Sequence, residues 1–131
     1  MGQTVLIVDD SRLARSTIRK YLMQMGLEVV GEAGNGRDAI DLFTQLSPDL
    51  VTLDITMPEM DGLSAFREIR KRAPEAAVLL VTSLDQKFIA EEVANDPHGG
   101  FIPKPFSSFD LLKAVRRVLR WEESADSSME V

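Results

Sequence analysis

Three aspartates, a threonine and a lysine stand out because each closes or follows a short apolar run. Asp9 and Asp10 sit at the end of Thr4–Asp9 (TVLIVD), and Asp54 ends Leu50–Asp54 (LVTLD). Thr82, with Ser83 beside it, ends Ala77–Thr82 (AVLLVT), and Lys104-Pro105 follows Phe101-Ile102. Three carboxylates brought together repel one another and resist full ionisation without compensating charge. Lys104 supplies one positive charge, and a divalent cation with oxygen ligands would supply more. Mg²⁺ fits best, because it takes one or two carboxylates, keeps several waters and bridges to phosphate. Mn²⁺ is a workable substitute. The chemistry that needs such a group is phosphoryl transfer onto a carboxylate, with an aspartate forming an acyl phosphate. The transferring group spreads charge over three oxygens and calls for a metal, an ammonium and a hydroxyl around it. Asp54, ending a central strand, is the expected nucleophile. Asp9 and Asp10 would hold the metal, Lys104 would pair with one phosphoryl oxygen, and Thr82 would hydrogen-bond another.

The elements that position these residues alternate along the chain. Thr4–Asp9, Glu28–Ala33, Leu50–Asp54 and Ala77–Thr82 read as strands, the first and last of them buried runs, and Phe101-Ile102 as a brief fifth. Between them run amphipathic helices. Ser11–Met25 turns Ala14, Ile18, Tyr21, Leu22 and Met25 to one side and ends at Gly26. Arg37–Leu46 turns in Ala39, Ile40 and Phe43, and Leu63–Arg72 turns in Leu63, Phe66 and Ile69. A fourth helix is expected over Gln86–Ala94, cut short by the turn residues Asn95–Gly100. Ser107 and Asp110 form a capping-box start for a last helix reaching about Trp121, which buries Leu111, Leu112, Val115, Val118 and Leu119. Five β-α units in strict alternation imply an open parallel sheet with helices on both faces. In such sheets the working site lies at the carboxyl ends of the strands, where the acids and Lys104 fall. Pro103 fits poorly in a central strand but is allowed on an edge one, which agrees with the fifth strand being terminal in the sheet.

Composition narrows the alternatives. The 131 residues suit one domain with a proper core, without room for separate sensor and output modules. No cysteine is present, which excludes disulfides and thiolate chemistry, and the single His98 cannot build a zinc site. His98 reads as a loop residue. The net charge of −6 argues against direct nucleic-acid binding. Four of the 21 acids (Glu122, Glu123, Asp126, Glu130) lie after Trp121 and three more are Asp9, Asp10 and Asp54, leaving 14 acids against 15 bases elsewhere. The acidity is thus a charged pocket plus a charged tail. We expect a domain over residues 1–121, a frayed acidic tail over 122–131, no membrane segment and a cytoplasmic location. The basic residues Arg12, Arg15, Arg19 and Lys20 of the first helix, and Lys113, Arg116, Arg117 and Arg120 of the last, read as solvated faces. Met23, Met25, Met57 and Met60 read as core or near-core filling.

Taken in order, VDDS (Val8–Ser11), EAGNG (Glu32–Gly36), LDITMPEMDGL (Leu53–Leu63), VTS (Val81–Ser83) and FIPKPF (Phe101–Phe106) resemble the receiver domain of two-component response regulators over about residues 3–121. The resemblance implies a doubly wound, flavodoxin-like or CheY-like α/β fold with sheet order 2-1-3-4-5. It implies that Asp54 is the phospho-accepting aspartate and that Asp9 and Asp10 are the acidic metal-binding pair. The backbone carbonyl of Thr56 would be a further Mg²⁺ ligand. Thr82 would be the switch hydroxyl, Lys104 the active-site lysine and Phe101 the aromatic that follows Thr82 inward. It also implies a cis Lys104–Pro105 bond, which the small trans preference of X–Pro bonds permits. Thr56 and Leu84 occupy the two variable positions flanking the phosphoryl group, and a bulky Leu84 would hinder hydrolysis.

The expected activity is a stand-alone switch that catalyses its own phosphorylation and slow dephosphorylation rather than a turnover enzyme. Its donor would be a sensor histidine kinase, a phosphotransfer protein or a small phosphodonor. Its downstream protein target would meet the surface made by the fourth helix, the fifth strand and the last helix. The turn residues of Asn95–Gly100 predict a short or irregular fourth helix there. Three rivals remain. A phosphorylation-independent interaction module of the same fold would not need the full set of Asp9, Asp10, Asp54, Thr82 and Lys104. A Mg²⁺-dependent phosphohydrolase of related fold wants a second aspartate where Thr56 stands. A flavin binder wants a Ser/Thr/Gly phosphate loop after the first strand, which is absent.

Overall fold

A computed structural model describes residues 3–55, 61–82, 91–93 and 95–120, with Thr82 described by its backbone. The strands are β1 (Thr4–Val8), β2 (Glu28–Ala33), β3 (Leu50–Asp54), β4 (Ala77–Thr82) and β5 (Gly99–Pro103). They form one parallel sheet of order β2-β1-β3-β4-β5, the expected topology. The helices α1 (Arg12–Gln24), α2 (Gly36–Leu46), α3 (Gly62–Arg72) and α4 (Ser108–Val118) cover it.

Side chains of successive strand residues point to opposite faces, and the core divides accordingly. Leu6, Val8, Val51, Leu53, Val78 and Leu80 pack against Ala39, Ile40 and Phe43 of α2 and Leu63, Phe66 and Ile69 of α3. Val5, Ile7, Leu50, Leu79, Val81 and Ile102 pack against Ile18 and Leu22 of α1 and Leu111, Val115 and Val118 of α4. Each such side chain contributes about 1.5–3 kcal/mol on full burial. This two-sided burial is why the strands read as unbroken apolar runs rather than alternating ones.

Polar residues bound the helices. Ser11, Asn35, Asp61 and Ser107 are the N-caps, each accepting a hydrogen bond from a first-turn backbone N–H. Ser107 and Asp110 complete the expected capping box, with Asp110 N donating to Ser107 Oγ and Ser107 N to Asp110 Oδ2, both at 3.0 Å. At the other end of α1, Gly26 takes φ 88°, a left-handed conformation that glycine enters without steric cost.

Several boundaries differ from expectation. The first strand stops at Val8, one residue short of Asp9, and Ser11 and Met25 flank α1 as its caps. α2 and α3 each start one residue earlier, on Gly36 and Gly62. β5 is longer than Phe101-Ile102, because Gly99 and Gly100 pair with Val78 and Leu79. The ladder overrides the weak strand preference of glycine. Gly100 is also needed there, since a Cβ would lie 2.9 Å from Val118 Cγ1. α4 ends at Val118 with Leu112 and Leu119 half-buried, and Trp121 and the 122–131 tail lie outside the described residues. Met23 is a correction: it is 57% exposed, because α1 presents Ile18 and Leu22 to the sheet and rotates Met23 away. Met57 and Met60 lie outside the described residues.

Most of the predicted Gln86–Ala94 helix also lies outside them, although residues 91–93 are helical and turns follow at 95 and 97–98. Arg70 of α3 anchors that turn. Its Nε donates to Asp96 Oδ2 at 2.8 Å and its Nη1 to the Ala76 carbonyl at 2.6 Å. Asp96 in turn accepts from His98 N at 2.9 Å, so His98 is a turn residue.

Candidate functional site

Sheet register builds the site. Val8 pairs with Leu53, so one further step along each strand brings Asp9 beside Asp54. Asp54 pairs with Val81, and Thr82 with Pro103, which places Lys104 one residue beyond the same edge. Asp9 is 1% and Asp54 7% exposed, whereas Asp10 points to solvent. Carboxylate oxygens of Asp9, Asp10 and Asp54 all lie within 4.8 Å of one another. Lys104 Nζ donates to Asp9 Oδ2 at 2.7 Å and stands 3.6 Å from Asp54 Oδ2. Residues 95 positions apart in the chain thus meet through strand pairing alone.

Burial alone would lower the Lys104 pKa, but its hydrogen bond to Asp9 and the charges of Asp54 and Asp9 more than offset this, and the net shift is upward. The ammonium is held protonated. Among the described residues, one ammonium stands with three carboxylates, which leaves an excess of negative charge around two buried acids. The donor set is all oxygen, with two buried carboxylates and one open to solvent, which suits a hard divalent cation that keeps water ligands. Asp9, Asp10 and Asp54 are the residues that would hold it.

Of the remaining expected site residues, Thr82 closes β4 at this edge, in register with Pro103. Its side chain, Thr56, Ser83 and Leu84 lie outside the described residues. The Lys104–Pro105 peptide is cis. Phe101 is half-buried on β5 beside Leu80 and packs against the α2–α3 side of the core. It also borders a surface cleft with Pro103, Phe106 and Arg117.

Two residues that sequence reasoning did not single out support the site. Gly62 begins α3 directly beneath the end of β3, and its N–H donates to the Ile55 carbonyl at 2.8 Å. A Cβ there would fall 1.8 Å from the Asp54 carbonyl oxygen, so only glycine allows this approach. The Asp61-Gly62 pair reads in sequence as the end of a loop, and that signal carries no hint of what lies against it. Arg15 is the second, and a correction: it is not part of a solvated face. Its side chain is 18% exposed, Nε pairs with Glu32 Oε1 at 3.0 Å, and Nη1 donates to the Asp9 carbonyl at 2.6 Å. Arg19 joins it on Glu32 Oε2 at 2.5 Å. The cause is β2, whose half-buried Glu32 pairs with both arginines beside the end of β1.

Comparison with known proteins agrees with this geometry. The family "Response regulator receiver domain" matches residues 5–116. The chain is 40% identical over 118 residues to the chemotaxis protein CheY of Thermotoga maritima, covering 90% of this chain and 98% of the relative. It is 39% identical over 119 residues to CheY of Bacillus subtilis, covering 91% and 99%. Among solved structures, a chain of the CheX–CheY–BeF3–Mg²⁺ complex from Borrelia burgdorferi superposes with a TM-score of 0.83 at 29% identity, covering 88% of each chain. Vibrio cholerae CheY4 superposes at 0.81 and 28% identity, covering 90% of this chain and 99% of the other. The family match over most of the sequence, together with the sheet order and the acidic edge, shows that this chain belongs to the response regulator receiver domains of two-component signalling.

Proposed function

We propose that the chain accepts a phosphoryl group on Asp54 from a phosphohistidine of a kinase or phosphotransfer protein, or from a small acyl phosphate. The observation that carries this reading is the shared ammonium: Lys104 lies between Asp9 and Asp54, at 2.7 and 3.6 Å, at the edge where the three carboxylates converge. A carboxylate oxygen of Asp54 attacks phosphorus, the bond from phosphorus to the donor nitrogen or oxygen breaks, and the leaving atom keeps the electron pair. Lys104, close to Asp54 Oδ2, pairs with the incoming phosphoryl oxygens. Burial of Asp54 limits water near the acyl phosphate, which favours slow self-hydrolysis over rapid turnover. Mg²⁺, when bound through Asp9, Asp10, Asp54 and the Thr56 carbonyl, supplies neutralising charge for the phosphoryl oxygens; the Mg²⁺ named in the Borrelia complex supports this choice.

The product carries a group of about −2 charge where a single carboxylate stood, and that local change biases a two-state surface. In this reading Thr82 responds to the new oxygens and Phe101 follows. The surface of β5, α4 and the helical residues 91–93 then changes its preference for a protein target. The match covers 98% of the Thermotoga CheY, and action on a separate target protein is part of the same proposal. No helix among the described residues is long and apolar enough to cross a membrane, and a cytoplasmic location is part of the same proposal. Incubation with acetyl phosphate and Mg²⁺, followed by intact mass measurement, tests the reading. One added phosphoryl group is expected on the wild type and none on Asp54→Asn. A gain that survives Asp54→Asn refutes it.

A further inference from the structure

We infer that Arg15 is a positioning residue for the acidic pocket, holding the Asp9–Asp10 backbone in the geometry that receives the cation. This rests on the proposed reading of Asp9, Asp10 and Asp54 as the cation site. Each polar group of Asp9 is tied to a different part of the fold. Its N–H donates to the Ala33 carbonyl at 3.0 Å, extending the β1–β2 ladder by one bond. Its Oδ1 accepts from Ser11 N at 2.9 Å, and its Oδ2 from Lys104 at 2.7 Å. The Asp9 carbonyl has left the ladder, since the chain turns there toward α1, and Arg15 Nη1 takes it at 2.6 Å. That bond fixes the peptide plane joining Asp9 to Asp10.

The plane matters because of Asp10. Its carboxylate is exposed and makes no hydrogen bond among the described residues, so its place beside Asp9 and Asp54 follows from the backbone that carries it. Arg15 is itself held rigidly. It lies one turn into α1, behind the Ser11 cap, and Glu32 on β2 accepts from its Nε at 3.0 Å. Arg19 pairs with the same Glu32 and has no hydrogen bond to Asp9 among the described residues. The chain β2–Glu32–Arg15–Asp9 therefore ties the strand end to two neighbouring elements, as groups behind a metal's direct ligands commonly do.

Charge and positioning predict opposite signs. Removing a cation near a negative pocket would, by charge alone, tighten Mg²⁺ binding. Loss of positioning would weaken it. The experiment follows the backbone amide resonances of residues 9–11 and 54 during MgCl2 titration of wild type, Arg15→Ala, Arg15→Lys and Arg19→Ala, with urea stability measured in EDTA alongside. We expect the Mg²⁺ Kd of Arg15→Ala to rise about tenfold, the low end of what loss of an outer-shell partner costs. Arg19→Ala, losing the same charge from the same Glu32, should stay within about twofold of wild type. Arg15→Lys keeps the charge but cannot hold Asp9 and Glu32 together, and should fall between; it carries the test if Arg15→Ala does not fold. At saturating Mg²⁺ the phosphorylation rate of Arg15→Ala should recover toward wild type. Unchanged or tighter Mg²⁺ binding by Arg15→Ala, or by Arg15→Lys in its place, overturns the inference while leaving the site reading intact. A wild type whose pocket resonances ignore Mg²⁺ overturns both.

Discussion

Replacing Asp54 with asparagine should make the metal-free protein more stable, although it destroys the proposed phosphorylation site. Asp54 is buried, with carboxylate oxygens of Asp9 and Asp10 within 4.8 Å and Lys104 Nζ at 3.6 Å. At an effective dielectric of about 20, each repulsion amounts to roughly 3.5 kcal/mol and the attraction to Lys104 to roughly 4.6 kcal/mol. Of these three interactions, the two repulsions outweigh the attraction to Lys104 by about 2 kcal/mol before counterion screening. Asparagine keeps the shape and one acceptor oxygen, so the packing beneath is preserved. Urea unfolding in EDTA should show a gain of about 1–2 kcal/mol with unchanged m-value. Saturating MgCl2 should narrow or reverse the difference, because a cation bound only by the folded state stabilises the wild type by mass action. If Asp54→Asn is less stable than wild type in EDTA, the three carboxylates do not repel one another as argued, and the case for a cation site loses its electrostatic basis.

Other outcomes follow from single contacts. Gly62→Ala must move either α3 or the end of β3, since its Cβ would lie 1.8 Å from the Asp54 carbonyl oxygen. A loss of about 3 kcal/mol or more is expected in urea unfolding, with acetyl phosphate labelling reduced as well; near-wild-type stability would contradict the close approach. Thr52 Oγ1 is buried with no hydrogen-bond partner among the described residues, so Thr52→Val should stabilise by about 1 kcal/mol in the same assay. Lys104 has a raised pKa in the folded state, so its contribution is fully present below the ordinary lysine pKa and is lost as pH rises through the higher folded value. Between pH 6 and 9 the stability difference between wild type and Lys104→Met should therefore be flat, shrinking only above about pH 10. A slope near neutrality would mean that Lys104 is not the group held protonated there.

Much of this molecule is legible in one dimension. Runs such as Val5–Val8 and Leu50–Leu53 announce strands buried on both faces, because a sheet covered by helices on both sides favours apolar side chains at every position, Thr52 being the one polar member of the second run. The apolar spacing of Ala39, Ile40 and Phe43, and of Leu63, Phe66 and Ile69, marks the inward stripe of each helix, and the structure buries every one of them. Strand ends are equally readable, so Asp9, Asp54 and Lys104 could be assigned to one edge before any distance was known.

What the sequence left open depends on neighbours far away along the chain. The first helix offers Arg12, Arg15, Arg19 and Lys20 as equivalent cations; Arg15 alone reaches Asp9, because Glu32 on the adjacent strand draws it over the end of β1. Met23 is exposed because the sheet already receives Ile18 and Leu22, a choice that periodicity does not make for residues at the margin of a stripe. Gly62 reads as the last residue of a loop until the end of β3 is placed against it. Local pattern records what a segment must bury, since burial depends on composition and spacing. Which polar group meets which depends on strand register and helix rotation, and those are set jointly by all the packed elements.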